Sequence, residues 1–182
     1  ESELAADCGT EAIPLLSRDA FLKANIENAL PLPVLPGPAL IFVGNALSSK
    51  TTLPATPLRK ELELSLGVDP NVEVQRLEGP LRDADAGFIG KNRRLQRAYE
   101  NRIANHHAQP HRVVVVDQFP ISRDEKIEVS RVAPKPSQIQ VEPENEHSGI
   151  FQWSATLAPQ ETRSFELKYE IQFPKEWQIA RL

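Results

Sequence analysis

The chain has 182 residues, 40% of them apolar and 25% charged, with a formal net charge of -4. That is the composition of one folded domain with a sizeable core, and it lacks the overall basicity that marks nucleic-acid binding. No apolar run approaches the roughly 18 residues of a membrane-spanning helix, and a single cysteine, Cys8, excludes an internal disulfide and a cysteine-rich zinc site.

Residues 1–12 open ESELAADCGT without an initiator methionine and read as a lead-in from a preceding segment of a longer protein, with residues 13–182 as the domain. Sixteen prolines against eight glycines fall between short apolar runs, as in PLPVLPGP and LPATP, and so punctuate strands rather than helices. AFLKANIENAL offers Leu22, Ala24 and Ile26, and ALIFVGNAL is apolar at Leu40, Ile41, Phe42 and Val43. ELELSLGVD alternates Leu62, Leu64 and Leu66, and NVEVQRL continues with Val72 and Val74. With Gly67 and Asp69-Pro70 as the turn, these two runs read as neighbouring strands. QRAYENRIAN is less regular, with Tyr99 and Ile103 on one face, and its Asn101 and Asn105 suggest a strand at a sheet edge.

Four consecutive valines, 113–116, read as a strand covered on both faces, preceded by a hairpin with HHAQPH as its turn. KIEVSRV, SQIQVEP and IFQWSATL follow, the last placing Trp153 in a core. SFELKYEIQF is the clearest signal: Phe165, Leu167, Tyr169, Ile171 and Phe173 alternate with Glu166, Lys168, Glu170 and Gln172. No helix-length window carries an unbroken 3.6-residue period. The expected fold is all-β, a two-sheet antiparallel sandwich of immunoglobulin-like or related type with about nine or ten strands.

Five blocks carry a resemblance: LPGPALIFVGNALSSKTTLP, ELELSLGVDPNVEVQR, GFIGKNRRLQRAYENRI, VVVVDQFPISRDEKIEV and GIFQWSATLAPQETRSFELKYEIQFPKEW. In that order they resemble the C-terminal domain of unknown function of mucoidy-inhibitor-type proteins. The resemblance implies a β-rich, sandwich-like domain with no catalytic residues to carry over. It also implies a link to the cell envelope or exopolysaccharide, and a periplasmic or envelope location if the chain is bacterial.

Asp117 and Gln118 follow the valines, and with Ser122 they read as a turn that ties down backbone amides around Phe119 and Pro120. His106 and His111, opposed across the expected hairpin, would with Asp117 form an alternative metal set; the primary reading has no metal and no cofactor. Lys91, Arg93, Arg94 and Arg97, with Tyr99 and Phe88 nearby, are candidates to contact an acidic partner. That partner would be another protein, the chain's own N-terminal region, or an acidic polysaccharide. Trp177 either covers the open end of the sandwich or anchors another domain. No serine has the base and orienting acid that nucleophilic catalysis needs, so the chain is not expected to be an enzyme. A non-catalytic interaction domain is the leading expectation. The alternatives are a structural terminal domain packed on the rest of its own chain and a metal-dependent hydrolase.

Overall fold

The computed structural model of the protein describes residues 3–80, 82–85, 92–145 and 147–177. Its strands are β1 (Ala6–Ala12), β2 (Ala20–Glu27), β3 (Gly37–Val43), β4 (Ala46–Leu53), β5 (Glu61–Val68), β6 (Val72–Glu78) and β7 (Arg82–Asp85). They continue as β8 (Asn92–Asn105), β9 (His111–Gln118), β10 (Glu128–Ala133), β11 (Ile150–Leu157) and β12 (Thr162–Pro174). One sheet runs β11-β9-β1-β2-β5; the second runs β10-β12-β8-β6, with β7 also paired to β8; β3 and β4 form a separate two-stranded sheet. The fold is the expected all-β sandwich, although β1 pairs in parallel with β9, so the first sheet is mixed.

Residues 6–12, expected within a lead-in, form strand β1. β1 lies at the centre of the first sheet, paired with β2 from Ala6↔Ile26 to Ala12↔Ala20 and with β9 through Thr10↔Val113. Its inward residues, Thr10 and Ala12, are small and fully buried. Backbone pairing on both sides holds this strand, so hydrophobic alternation had nothing to register.

Two expected hairpins are instead crossings between sheets. β5 pairs with β2 and β6 with β8, so the turn at Gly67 and Asp69 carries the chain from one sheet to the other. The same holds for HHAQPH, which leads from β8 to β9. β11 and β12 likewise belong to different sheets.

Period-two alternation places the core between the two layers. β12 buries Phe165, Leu167, Tyr169, Ile171 and Phe173, and β9 buries Val113 and Val115. Phe119–Phe151, Phe151–Trp153 and Trp153–Phe165 ring centroids lie 4.6, 4.9 and 5.5 Å apart, a row of aromatics that crosses from one sheet to the other. Val114 and Val116 on the outer face are half-buried. Nearby, Gln140 exchanges backbone hydrogen bonds of 2.8 and 2.9 Å with Gln152.

β8 is not an edge strand. It lies between β12 and β6, and Asn101 and Asn105 are fully buried. At the far end of the β9–β11 pair, Gly149 has φ +73°, and a Cβ built there would sit 2.4 Å from the Phe119 carbonyl oxygen. That carbonyl is backbone and cannot step aside. Gly149→Ala is therefore expected to cost at least about 1–2 kcal/mol, measured as a shift of the urea midpoint.

Residues 28–60 leave the first sheet as an arm. β3 and β4 form its hairpin, closed by a two-residue turn at Gly44 and Asn45 with Gly44 at φ +60°. The root is held by Asn28, whose Nδ2 donates to the carbonyls of Thr56 (3.0 Å) and Pro57 (3.2 Å) and whose Oδ1 accepts the Leu30 N–H (3.2 Å). Ser49 Oγ of β4 donates to the Ser65 carbonyl of β5 at 3.2 Å. The arm also carries exposed apolar side chains: on β3, Leu40 and Phe42 share one face and are each 58% exposed, and Leu32, Leu35, Val43 and Leu47 are exposed elsewhere along it.

Candidate functional site

Two buried aspartates organise the interior, and they are neutralised differently. Asp117 continues the inward set Val113, Val115 on β9, and Arg76 continues Val72, Val74 on β6 of the opposite sheet. Arg76 Nη1 donates to Asp117 Oδ2 at 2.6 Å and to Asn101 Oδ1 at 2.9 Å, and Asn101 Nδ2 donates to the same carboxylate oxygen at 2.7 Å. Asp117 Oδ1 accepts the Gln118 N–H at 2.8 Å. The guanidinium also lies over the Tyr99 ring, 4.4 Å from its centroid. This closed triad links the two sheets and leaves no carboxylate oxygen free for a metal. Asp117 does hold a backbone amide as expected, but its main partner is Arg76, which the sequence reading did not single out. Ser122 ties its own loop, accepting the Asp124 N–H at 3.0 Å.

Asp69 is only 3% exposed at its side chain, and it lies at the end of the sandwich where the β5–β6 and β8–β9 crossings meet β1. Thr10 Oγ1 donates to Asp69 Oδ2 at 2.6 Å, His107 Nε2 lies 2.9 Å from that oxygen, and His111 Nε2 lies 3.6 Å away. His111 Nε2 is also 2.7 Å from Thr10 Oγ1. Asp69 Oδ1 accepts the Asn71 N–H at 3.1 Å, which fixes the carboxylate plane. The two imidazoles stack, centroids 4.1 Å apart and 21° from parallel. Burial pushes the Asp69 carboxyl up, but the Thr10, His107 and Asn71 hydrogen bonds outweigh it and hold the group below its ordinary range. Burial and the neighbouring His107 push His111 down, against the attraction of Asp69. Thr10 is fully buried, so this Thr–His contact offers no nucleophile to a substrate.

The alternative metal set of His106, His111 and Asp117 does not assemble. Because HHAQPH crosses between sheets, His106 turns outward to Glu73 (3.3 Å) while His107 turns inward beside His111, and Asp117 is held in the triad with Arg76. Asp69 and Thr10, both distant in sequence, complete the cluster.

The arginines do not form one face. In the unbroken β8 register with β12, Arg93 and Arg97 share the side of Leu95 and Tyr99, and Arg94 projects from the other. Arg97, 12% exposed at its side chain, donates to Glu78 Oε1 at 2.8 Å, and Arg94 lies 3.6 Å from Glu170. Arg93 is likewise engaged within the fold. Lys91 and Phe88 lie outside the described residues. Trp177 is half-buried against the core, with Lys126 Nζ 5.7 Å from its ring centroid. No helix among the described residues is long and apolar enough to cross a membrane.

No solved structure matches the chain. Protein F37C4.5 of Caenorhabditis elegans is 28% identical over 180 residues, which cover 92% of this chain and 31% of that protein. The chain thus spans about a third of the length of this curated relative. The profile of the domain of unknown function DUF4139 matches residues 12–175, nearly the whole sandwich from the end of β1 through β12, and the chain belongs to that family.

Proposed function

We propose that this domain is a non-catalytic interaction module that docks, through the β3–β4 arm, onto another region of the longer protein to which it belongs. The observation that carries the reading is the set of exposed large apolar side chains on the arm, Leu32, Leu35, Leu40, Phe42, Val43 and Leu47. Large side chains grouped this way on a rooted hairpin mark a surface that is covered in use. The length of the worm relative supplies a reason to place the cover on the same chain. Burial of Thr10 beside His111, and consumption of Asp117 by Arg76, support the non-catalytic part.

The mucoidy-inhibitor resemblance extends the proposal to an envelope setting, with acidic polysaccharide as a second ligand. Among the described candidate arginines, Arg94 is the exposed one, with Arg93 and Arg97 half-buried. Any polyanion would have to displace Glu78 from Arg97 and Glu170 from Arg94, so this contact is expected to be weak and salt-sensitive.

A photo-crosslinking residue at position 42 of the full-length protein tests the docking, with exposed Thr156 on the first sheet as the control position. Crosslinks from position 42 to residues outside this domain of the same polypeptide are expected. Crosslinks to a separate protein would move the partner off the chain. A yield no higher than the Thr156 control would remove the arm from the proposal.

A further inference from the structure

We propose that Asp69, His107 and His111 form a binding site for one divalent transition-metal cation of the zinc type. The site is independent of the docking arm. One ligand atom each from Asp69, His107 and His111 lies within 4.8 Å of the other two, and Asp69 Oδ2 stands 2.9 Å from His107 Nε2 and 3.6 Å from His111 Nε2. In a tetrahedral site with metal–ligand bonds of about 2.0–2.1 Å, neighbouring donors are separated by about 3.3–3.4 Å. The separations therefore bracket what zinc requires.

The donor chemistry agrees. Two imidazoles and a carboxylate suit a borderline cation such as zinc or cobalt(II), with a fourth position left for water or the Thr10 hydroxyl. The Asn71 N–H on Asp69 Oδ1 is the kind of outer hydrogen bond that orients a ligating carboxylate. The charge balance is the second, separate observation. Among the described residues, the partners of buried Asp69 are a hydroxyl, a backbone amide and the two histidines, whereas buried Asp117 has an arginine. A carboxylate buried with no lysine or arginine is a position that a bound cation would complete.

Loading requires one movement. Thr10 has one proton and gives it to Asp69, so His111 donates its Nε2 proton to Thr10 and His107 donates its own to Asp69. To ligate, each ring must be neutral and carry its proton on Nδ1 instead. The in-plane lone pairs of rings stacked at 21° do not converge on one point about 2 Å from both. One ring must turn. His107, 26% exposed on the crossing loop against 16% for His111 on β9, is the one free to do so. The bound ion would then join the β5–β6 crossing, the β8–β9 crossing and β9 at one end of the sandwich.

The test is calorimetric titration of the full, metal-stripped chain with Zn2+, read beside its thermal midpoint and the visible spectrum with Co2+. One site per chain, a midpoint raised by several degrees, and cobalt bands of four-coordinate intensity are expected. His107→Gln should weaken Zn2+ binding at least tenfold while leaving the circular dichroism of the sandwich unchanged, since its ring is half-exposed. His106→Gln should change nothing. Absence of saturable 1:1 binding by the wild type overturns the proposal, as does equal binding by the wild type and His107→Gln.

Discussion

Asp117→Ala is expected to lower the unfolding free energy by about 3–5 kcal/mol, a large part of the 5–15 kcal/mol typical of a domain. Most of that loss comes from what remains. Arg76 would keep its place between the sheets with no carboxylate, and Nδ2 of fully buried Asn101 would lose its acceptor. The net worth of the intact triad is much smaller, because bringing its charges out of water costs nearly what their attraction returns. A triple replacement, Arg76→Met, Asn101→Leu and Asp117→Leu, is therefore expected to recover most of the stability lost by Asp117→Ala alone. Urea unfolding of the three proteins measures both statements. A loss below about 1 kcal/mol for Asp117→Ala would show that this ion pair behaves as an exposed one.

The triad also shows how far the sequence reaches. Strand parity was readable: Arg76 stands two residues after Val74, and Asp117 two after Val115, so each continues a buried set. A cation and an anion that are both forced inward have to meet, and that inference needed only the pairing of β6 with β8 and the facing of β9. From Phe165 to Phe173 the alternation in β12 gave its five inward residues without error, because over that stretch one face is apolar and the other polar. β1 was illegible for the opposite reason, its inward residues being Thr10 and Ala12. The crossings at Asp69 and at HHAQPH were also hidden, since a short polar turn reads the same whether it returns to its own sheet or passes to the other. Everything that depended on those crossings, including which histidine faces Asp69, followed from the error.

Asn105→Asp is expected to be as damaging as the loss of Asp117, about 4 kcal/mol, although it changes a single group of atoms. Asn105 Nδ2 faces three carbonyl oxygens, those of Leu157 at 3.0 Å, Ala158 at 3.1 Å and Gln109 at 3.2 Å, and its Oδ1 accepts the His107 N–H at 2.9 Å. Its backbone bonds the same region, through Glu161 O at 2.9 Å and Gln160 N at 2.8 Å. The residue thus ties the β8–β9 and β11–β12 crossings together where the two sheets meet. An aspartate there would aim a charged oxygen at three acceptors and would take the side-chain donor from each, leaving Ala158 O only the Glu161 N–H at 3.1 Å. Asn105→Ala removes the same bonds but adds no charge and opens room for a water, so it is expected to be the milder change. The order of damage then runs against steric likeness, with the near-isostere worse than the truncation. Urea midpoints of the two variants, with amide exchange at Gln160 and Glu161 as the local readout, measure that order, and an Asp variant more stable than the Ala variant would refute the role given to Asn105. Asn28 repeats the device at the root of the arm, with its Nδ2 on the Thr56 and Pro57 carbonyls. A buried asparagine at the end of a strand can hold a departing loop on several carbonyls at once, which is how this sandwich both closes its ends and presents its arm.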